Sequence, residues 1–152
     1  MAICTIAQKR LASGLRLNLP EAEALIAGQV LHLARSNRFS VAQMMAAGRT
    51  MLGTKQVLAG VAGAIEDVQV EANFLDGTKL VAVVNPICME HGNLALALEG
   101  SFLPVPALSL FDAPDPEEGL VLGEVVCLPD KEFPLLLNKG REIVTLSVFN
   151  TG

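Results

Sequence analysis

Residues 68–86 read Val-Gln-Val-Glu-Ala-Asn-Phe-Leu-Asp-Gly-Thr-Lys-Leu-Val-Ala-Val-Val-Asn-Pro, and this stretch decides the fold. Apolar and polar residues alternate from Val68 to Phe74, which is the period of a half-buried strand. Asp76-Gly77 favours a type I′ turn, because both residues tolerate the positive φ that this turn requires. The apolar run 80–84 predicts the returning strand, and Pro86 ends it because proline lacks a ladder donor. The stretch therefore predicts a β-hairpin.

Two helices are predicted at the start of the chain. Apolar residues within 3–13 fall on one helical face, and Gly14 stands where a left-handed cap is expected. Asn18-Leu19-Pro20-Glu21 is typical of a helix start, since asparagine caps and proline suits the first turn, while glutamate complements the positive end of the dipole. The second helix is expected to run to about residue 35.

Two further helices are predicted between residues 40 and 65. Ser40 and Gln43 match a capping box at the start of the third helix, which Gly53 is expected to end. Thr54 is a candidate cap for a fourth helix, whose stripe is Val57, Leu58, Val61, Ala64 and Ile65. The helices and the hairpin together predict an N-terminal domain over residues 1–86.

The composition changes after the hairpin. Prolines and acidic residues accumulate over residues 87–119, which predicts a Pro-rich linker with one short helix within 90–98. Strand-like runs return at 120–128, 133–137 and 142–149, which predicts the start of a β domain over residues 120–152. The expected fold class is α+β: a helical domain closed by a hairpin, then a linker and an incomplete all-β segment.

Composition and charge exclude several classes of function. A formal net charge of −5 argues against binding the phosphate backbone of nucleic acids. No apolar run approaches the roughly 20 residues that a membrane-spanning helix needs, and residues 1–10 do not resemble a secretory signal. The three widely spaced cysteines predict reduced, buried thiols in a cytoplasmic protein. Since 51% of residues are nonetheless apolar, surface buried against partner subunits is a further expectation.

Residues able to carry chemistry are few and scattered. His32 and His91 lack the spacing of metal ligands, and Ser101 lacks the glycine pattern of a nucleophile elbow. The cysteines, Cys4, Cys88 and Cys127, have no adjacent histidine or basic cluster in the sequence to activate a thiol. We therefore predict no catalytic, cofactor-binding or metal-binding residue in this chain.

Several of these stretches together resemble the urease gamma subunit. Residues 8–35, 40–49 and 56–61 are similar to its helices, and residues 68–86 resemble its hairpin closely. Residues 100–106, Gly-Ser-Phe-Leu-Pro-Val-Pro, look like part of the loop that joins gamma to beta in fused ureases of the plant and fungal kind. Gly123-Glu124 and residues 137–152 are similar to the opening strands of urease beta. The resemblance thus covers a gamma region and the first part of a beta region.

The resemblance implies a structural role. In ureases the two nickel ions lie in a large catalytic region whose motifs do not occur in this sequence. We expect a non-catalytic assembly part of urease that packs against the catalytic (alpha) region and other protomers in a trimer-based complex, without nucleic acid or membrane. Urea hydrolysis to ammonia and carbamate is implied for the holoenzyme, and this chain alone is predicted inactive. The alternatives are a free-standing interaction module and a gene-model fragment without urease activity.

Overall fold

The computed structural model describes residues 2–113, 140 and 146–147. Its α-helices are α1 (Ala2–Ala12), α2 (Leu19–Arg35), α3 (Val41–Gly48), α4 (Val61–Ala64) and α5 (Leu94–Ala97). Short 3-10 helices occupy Thr54–Gln56 and Leu108–Phe111, and an antiparallel hairpin is formed by β1 (Asp67–Phe74) and β2 (Gly77–Val84). This confirms the α+β class with N-terminal helices and a hairpin. The strands predicted at 120–128, 133–137 and 142–149 lie outside the described residues, apart from 146–147.

The predicted helix starts are confirmed at α2 and α3. Asn18 Oδ1 accepts a hydrogen bond from the Glu21 amide at 3.0 Å, and Glu21 Oε2 accepts one from the Asn18 amide at 3.1 Å. Ser40 and Gln43 form the same reciprocal pair at the start of α3. Each box satisfies two amides that a helix start would otherwise leave without partners.

The predicted fourth helix is wrong, because the chain between Gly53 and Ile65 is divided. Val57 is extended and bridges Leu17 in parallel, with the Leu58 amide donating to the Leu17 carbonyl at 2.9 Å. Gly60 then takes a left-handed conformation, with φ of 80°, before the single turn of α4. The third helix also ends earlier than predicted, at Gly48 instead of Gly53. The apolar residues of this stretch have helical spacing, but pairing of Val57 with Leu17 in the loop before α2 makes the backbone extended instead.

The hairpin has the predicted strands but a different turn. Its register runs from Asp67↔Val84 to Phe74↔Gly77. Within the reversal only Gly77 has positive φ, at 117°, whereas a type I′ turn requires two such residues. The turn prediction was therefore wrong in type, although the glycine is still what permits the reversal. The Lys79 ammonium donates to Asp76, and this hydrogen bond lowers the pKa of the Asp76 carboxyl.

The core lies between the inner face of the hairpin and the helices. The buried hairpin residues are Val68, Val70, Ala72, Val81 and Val83. They pack against α2 and α3, whose buried side chains include Leu25, Ile26, Val30 and Met44. Gly48 allows the closest approach, since a Cβ there would lie 2.6 Å from a methyl carbon of Val83. The core is aliphatic, as the composition predicts, with Phe111 as its largest member.

Residues 87–113, which fall within the predicted linker, add to this core. Ile87, Leu94, Leu98 and Phe111 are all buried. Met89 bridges Gly53, and the Thr54 amide donates to the Met89 carbonyl at 2.8 Å. We call residues 87–113 the connector segment, and its packing makes it part of the described helical unit.

Candidate interaction surface

The connector segment is held on the helices by two buried glutamines. Gln56 is fully buried, and its Oε1 accepts hydrogen bonds from the amides of Gly53 at 3.1 Å and Gly92 at 2.8 Å. Gln29 on α2 is 2% exposed, and its Nε2 donates to the carbonyls of Ala97 at 2.7 Å and Glu99 at 3.1 Å. Gln56 bonds Gly92, and Gln29 bonds Ala97 and Glu99, all far away in sequence, so both side chains fix the path of the connector segment.

Arg16 holds the end of the connector segment. Its guanidinium donates to the carbonyls of Phe111 and Ala113, the former at 3.2 Å. Arg16 precedes Leu17, which bridges Val57. The loop between α1 and α2 therefore contacts both the 54–57 stretch and the last described residues of the connector segment.

Phe102 is displayed on the surface in an unusual backbone conformation. Its side chain is fully exposed and its φ is 60°. The backbone on either side is held by Ser101, whose hydroxyl donates to the Leu98 carbonyl at 2.6 Å and accepts from the Leu103 amide at 3.2 Å. A left-handed conformation costs a residue with a side chain about 1–2 kcal/mol, which the surrounding contacts must offset.

Other apolar side chains of the connector segment are also exposed. Val105, Leu108 and Leu110 are 54%, 43% and 56% exposed. The outer face of the hairpin adds Leu80 and Val84, and Leu75 at its tip is 91% exposed. Single exposed apolar residues need no explanation, but several within one short segment are typical of a surface that contacts a partner.

The residues considered for chemistry lie apart from one another. His32 is exposed on α2 beside Gly100, whereas His91 lies in the 88–92 loop with its Nε2 3.6 Å from Asp112 Oδ1. The Ser101 hydroxyl forms hydrogen bonds with the backbone of Leu98 and Leu103. Within residues 2–113 no three histidine, cysteine or acidic side chains are grouped as metal ligands. The absence of catalytic and metal-binding residues from the whole chain stays a prediction, and Cys127 lies outside the described residues.

The two described cysteines differ in environment. Cys4 lies half-buried between α1 and α2, where a Cβ on Gly28 would sit 3.0 Å from its Cβ. Burial raises the pKa of the Cys4 thiol, partly offset by the charge of the chain's N-terminus. Cys88 is exposed, with its sulfur 3.8 Å from an Arg49 guanidinium nitrogen, so the prediction of a buried thiol is wrong at this residue.

We expect iodoacetamide to alkylate Cys88 before Cys4 at neutral pH, as measured by mass spectrometry of the labelled peptides. The thiolate is the reactive form, so labelling of Cys4 should keep increasing above about pH 8.5, the usual thiol pKa. Because the folded-state pKa is raised, folding favours the protonated thiol. The protonated Cys4 thiol therefore stabilises the folded chain at neutral pH, and this stabilisation is lost as the pH rises through the folded-state pKa. Equal labelling rates at pH 7 would contradict the half-buried position of Cys4.

The described residues thus define a small α+β module that exposes apolar side chains along the connector segment and the hairpin. The family described as "Urease, gamma subunit" matches residues 1–87, which is more than half of the chain. The chain belongs to the urease gamma-subunit family.

One relative extends the match beyond the gamma region. The "Urease subunit gamma/beta" of Pseudomonas syringae pv. tomato (strain ATCC BAA-871 / DC3000) is 42% identical over 147 residues, covering 97% of this chain and 52% of the relative. This confirms the predicted order of a gamma region followed by beta sequence. The chain spans about half the length of this relative. Within the described residues, no helix has the length and apolar character needed to cross a membrane.

Proposed function

We propose that this chain is a non-catalytic structural part of urease, the enzyme that hydrolyses urea to ammonia and carbamate. The observation that carries the proposal is the family match over residues 1–87. The exposed apolar side chains of the connector segment are consistent with it, since a subunit of a larger assembly must present surface to its neighbours.

The described residues do not form a binding site for the nickel of the proposed holoenzyme. His32 and His91 lie on different elements, and no three candidate ligands are grouped within residues 2–113. A catalytic nickel site needs several nitrogen or oxygen ligands converging on one point. We therefore assign no nickel ligand to the described residues and propose that the metal and the chemistry belong to a separate catalytic region.

The proposed organisation follows the gamma/beta order. Residues 1–86 form the gamma-like domain, residues 87–119 join it to the next region, and residues 120–152 begin a beta-like domain. The proposed partners are the urease catalytic (alpha) region and further protomers in a trimer-based cytoplasmic assembly. The match to a subunit named gamma/beta supports this arrangement.

Co-expression with a urease catalytic subunit tests the proposal. The tagged full chain should recover the catalytic subunit, while the chain alone with nickel should not hydrolyse urea. Gly63→Ala adds a methyl group where no atom lies within 4 Å. This variant serves as a substitution control and should recover the catalytic subunit as the wild type does. Urea hydrolysis by the chain alone would contradict the non-catalytic role, and failure to recover any catalytic subunit would contradict the assembly role.

A free-standing interaction module is the second candidate. It is favoured by the hydrophobic core of the described unit, whose buried residues run from Ala7 to Phe111. Such a module would be monodisperse and would unfold in one cooperative transition. Size-exclusion chromatography and thermal unfolding of the isolated chain separate it from a partner-dependent subunit, which would self-associate or gain stability on binding.

A further inference from the structure

Two buried polar atoms without a protein partner belong to one contact of the connector segment. They are Gln56 Nε2 and His91 Nδ1. The contact is close, because Gln56 Oε1 lies 2.8 Å from the amide of Gly92, the residue that follows His91. Arg10 Nε also lacks a hydrogen bond of good geometry, but it lies 3.2 Å from a carboxylate oxygen of Glu21 and so has an ionic partner.

The hydrogen-bonding character of both atoms follows from their other contacts. Gln56 Oε1 accepts from two backbone amides, which sets the orientation of the side-chain amide and makes Nε2 a donor. His91 Nε2 faces Asp112 Oδ1 at 3.6 Å, a position that favours a proton on Nε2. In a neutral imidazole the other nitrogen is then an acceptor. Gln56 thus carries a buried donor and His91 a buried acceptor, and neither atom has a hydrogen-bond partner within the protein.

We propose that one water molecule bridges Gln56 Nε2 and His91 Nδ1. Water accepts from the amide and donates to the ring, so it satisfies both atoms, and two to four polar partners are typical of buried water. The bridge would link His91 to Gln56, whose Oε1 accepts from the amides of Gly53 and Gly92. It would fix the side chain of His91 in the 88–92 loop, with Nε2 3.6 Å from Asp112 Oδ1, whether or not the chain acts in urease.

Nuclear magnetic resonance of the nitrogen-15-labelled full chain tests this bridge. At a pH where the His91 signals show a neutral ring, long-range proton–nitrogen correlations should show the proton on Nε2. The Gln56 side-chain amide should show cross-relaxation with a long-lived water molecule. A proton on Nδ1, or a Gln56 amide without this water signal, would overturn the proposal in the wild-type protein, without any variant having to fold.

His91→Phe tests whether the water is shared. This variant keeps an aromatic ring but removes the acceptor, so the Gln56 water signal should be lost. His32→Phe is the matched control, since His32 lies on α2 beside Gly100, and it should leave the signal unchanged. An undiminished signal in His91→Phe would show that the water does not bridge to His91 and would overturn the proposal.

Discussion

Replacing Gly53 by alanine is expected to lower the free energy of unfolding by about 3 kcal/mol or more, the upper range for overpacking a well-filled site. A Cβ at residue 53 would lie 2.6 Å from the Glu90 carbonyl carbon and 2.7 Å from the Gly92 nitrogen, and closer still to the Glu90 oxygen. These are backbone atoms, so no side chain can rotate away. The φ of −114° at Gly53 is open to any residue, and the loss would therefore come from contact with the 88–92 loop alone.

Gly63→Ala is the matched control for this prediction. Gly63 lies within α4, and nothing approaches within 4 Å of the position of its missing Cβ. Alanine there should raise stability by about 0.5–1 kcal/mol, because glycine loses more backbone entropy on folding. Guanidinium unfolding followed by circular dichroism measures both variants. A Gly53→Ala variant as stable as the wild type would show that residues 53 and 90–92 are not in backbone contact.

Gln56→Met is expected to lower the free energy of unfolding by about 2–3 kcal/mol, since an unsatisfied buried amide costs about 1–3 kcal/mol. Methionine has nearly the same length and leaves no large cavity. It cannot replace Oε1, however, so the amides of Gly53 and Gly92 would lose their acceptor. Hydrogen exchange should show the same loss locally, as faster exchange of the Gly92 amide.

Gln69→Met separates this effect from the general cost of losing a glutamine. Gln69 lies on the exposed face of β1, and its side-chain amide donates to the Asp67 carboxylate. An exposed substitution of this kind usually changes stability by less than about 0.5 kcal/mol. If both variants lost the same stability, the buried hydrogen bonds of Gln56 would not be the cause.

Local sequence signals predicted the fold where the interacting groups are near one another in the chain. Asn18 and Ser40 each bond an amide three residues later, so a four-residue pattern is sufficient to predict a helix start. The alternation from Val68 to Phe74 likewise predicts which face of β1 is buried. The signals failed where a distant segment competes: Val57 has helical spacing to its neighbours but pairs with Leu17, forty residues earlier.

The candidate surface was less predictable than the fold. Gln29 is buried on α2, and its bonds to Ala97 and Glu99 depend on how the connector segment returns to this helix. Phe102 is a large apolar residue, which composition alone would assign to the core, yet it is fully exposed while Phe111 is buried. Which of two apolar residues is buried depends on the path of the backbone, and periodicity carries no information on an irregular segment.

By itself, the sequence determined the N-terminal caps of α2 and α3, the strands of the hairpin and membership of the urease gamma-subunit family, since all three depend on short runs of residues. Only the tertiary structure decided that Gly53 meets the 88–92 loop, that Gln56 bonds both, and that residues 87–113 pack as part of the unit. Apart from the hydrogen bond between Gln56 and Gly53, the contacts of Gly53 and Gln56 with the 88–92 loop join residues more than thirty positions apart. Their formation depends on shape and hydrogen-bonding complementarity that exists only once the chain has closed the intervening loop.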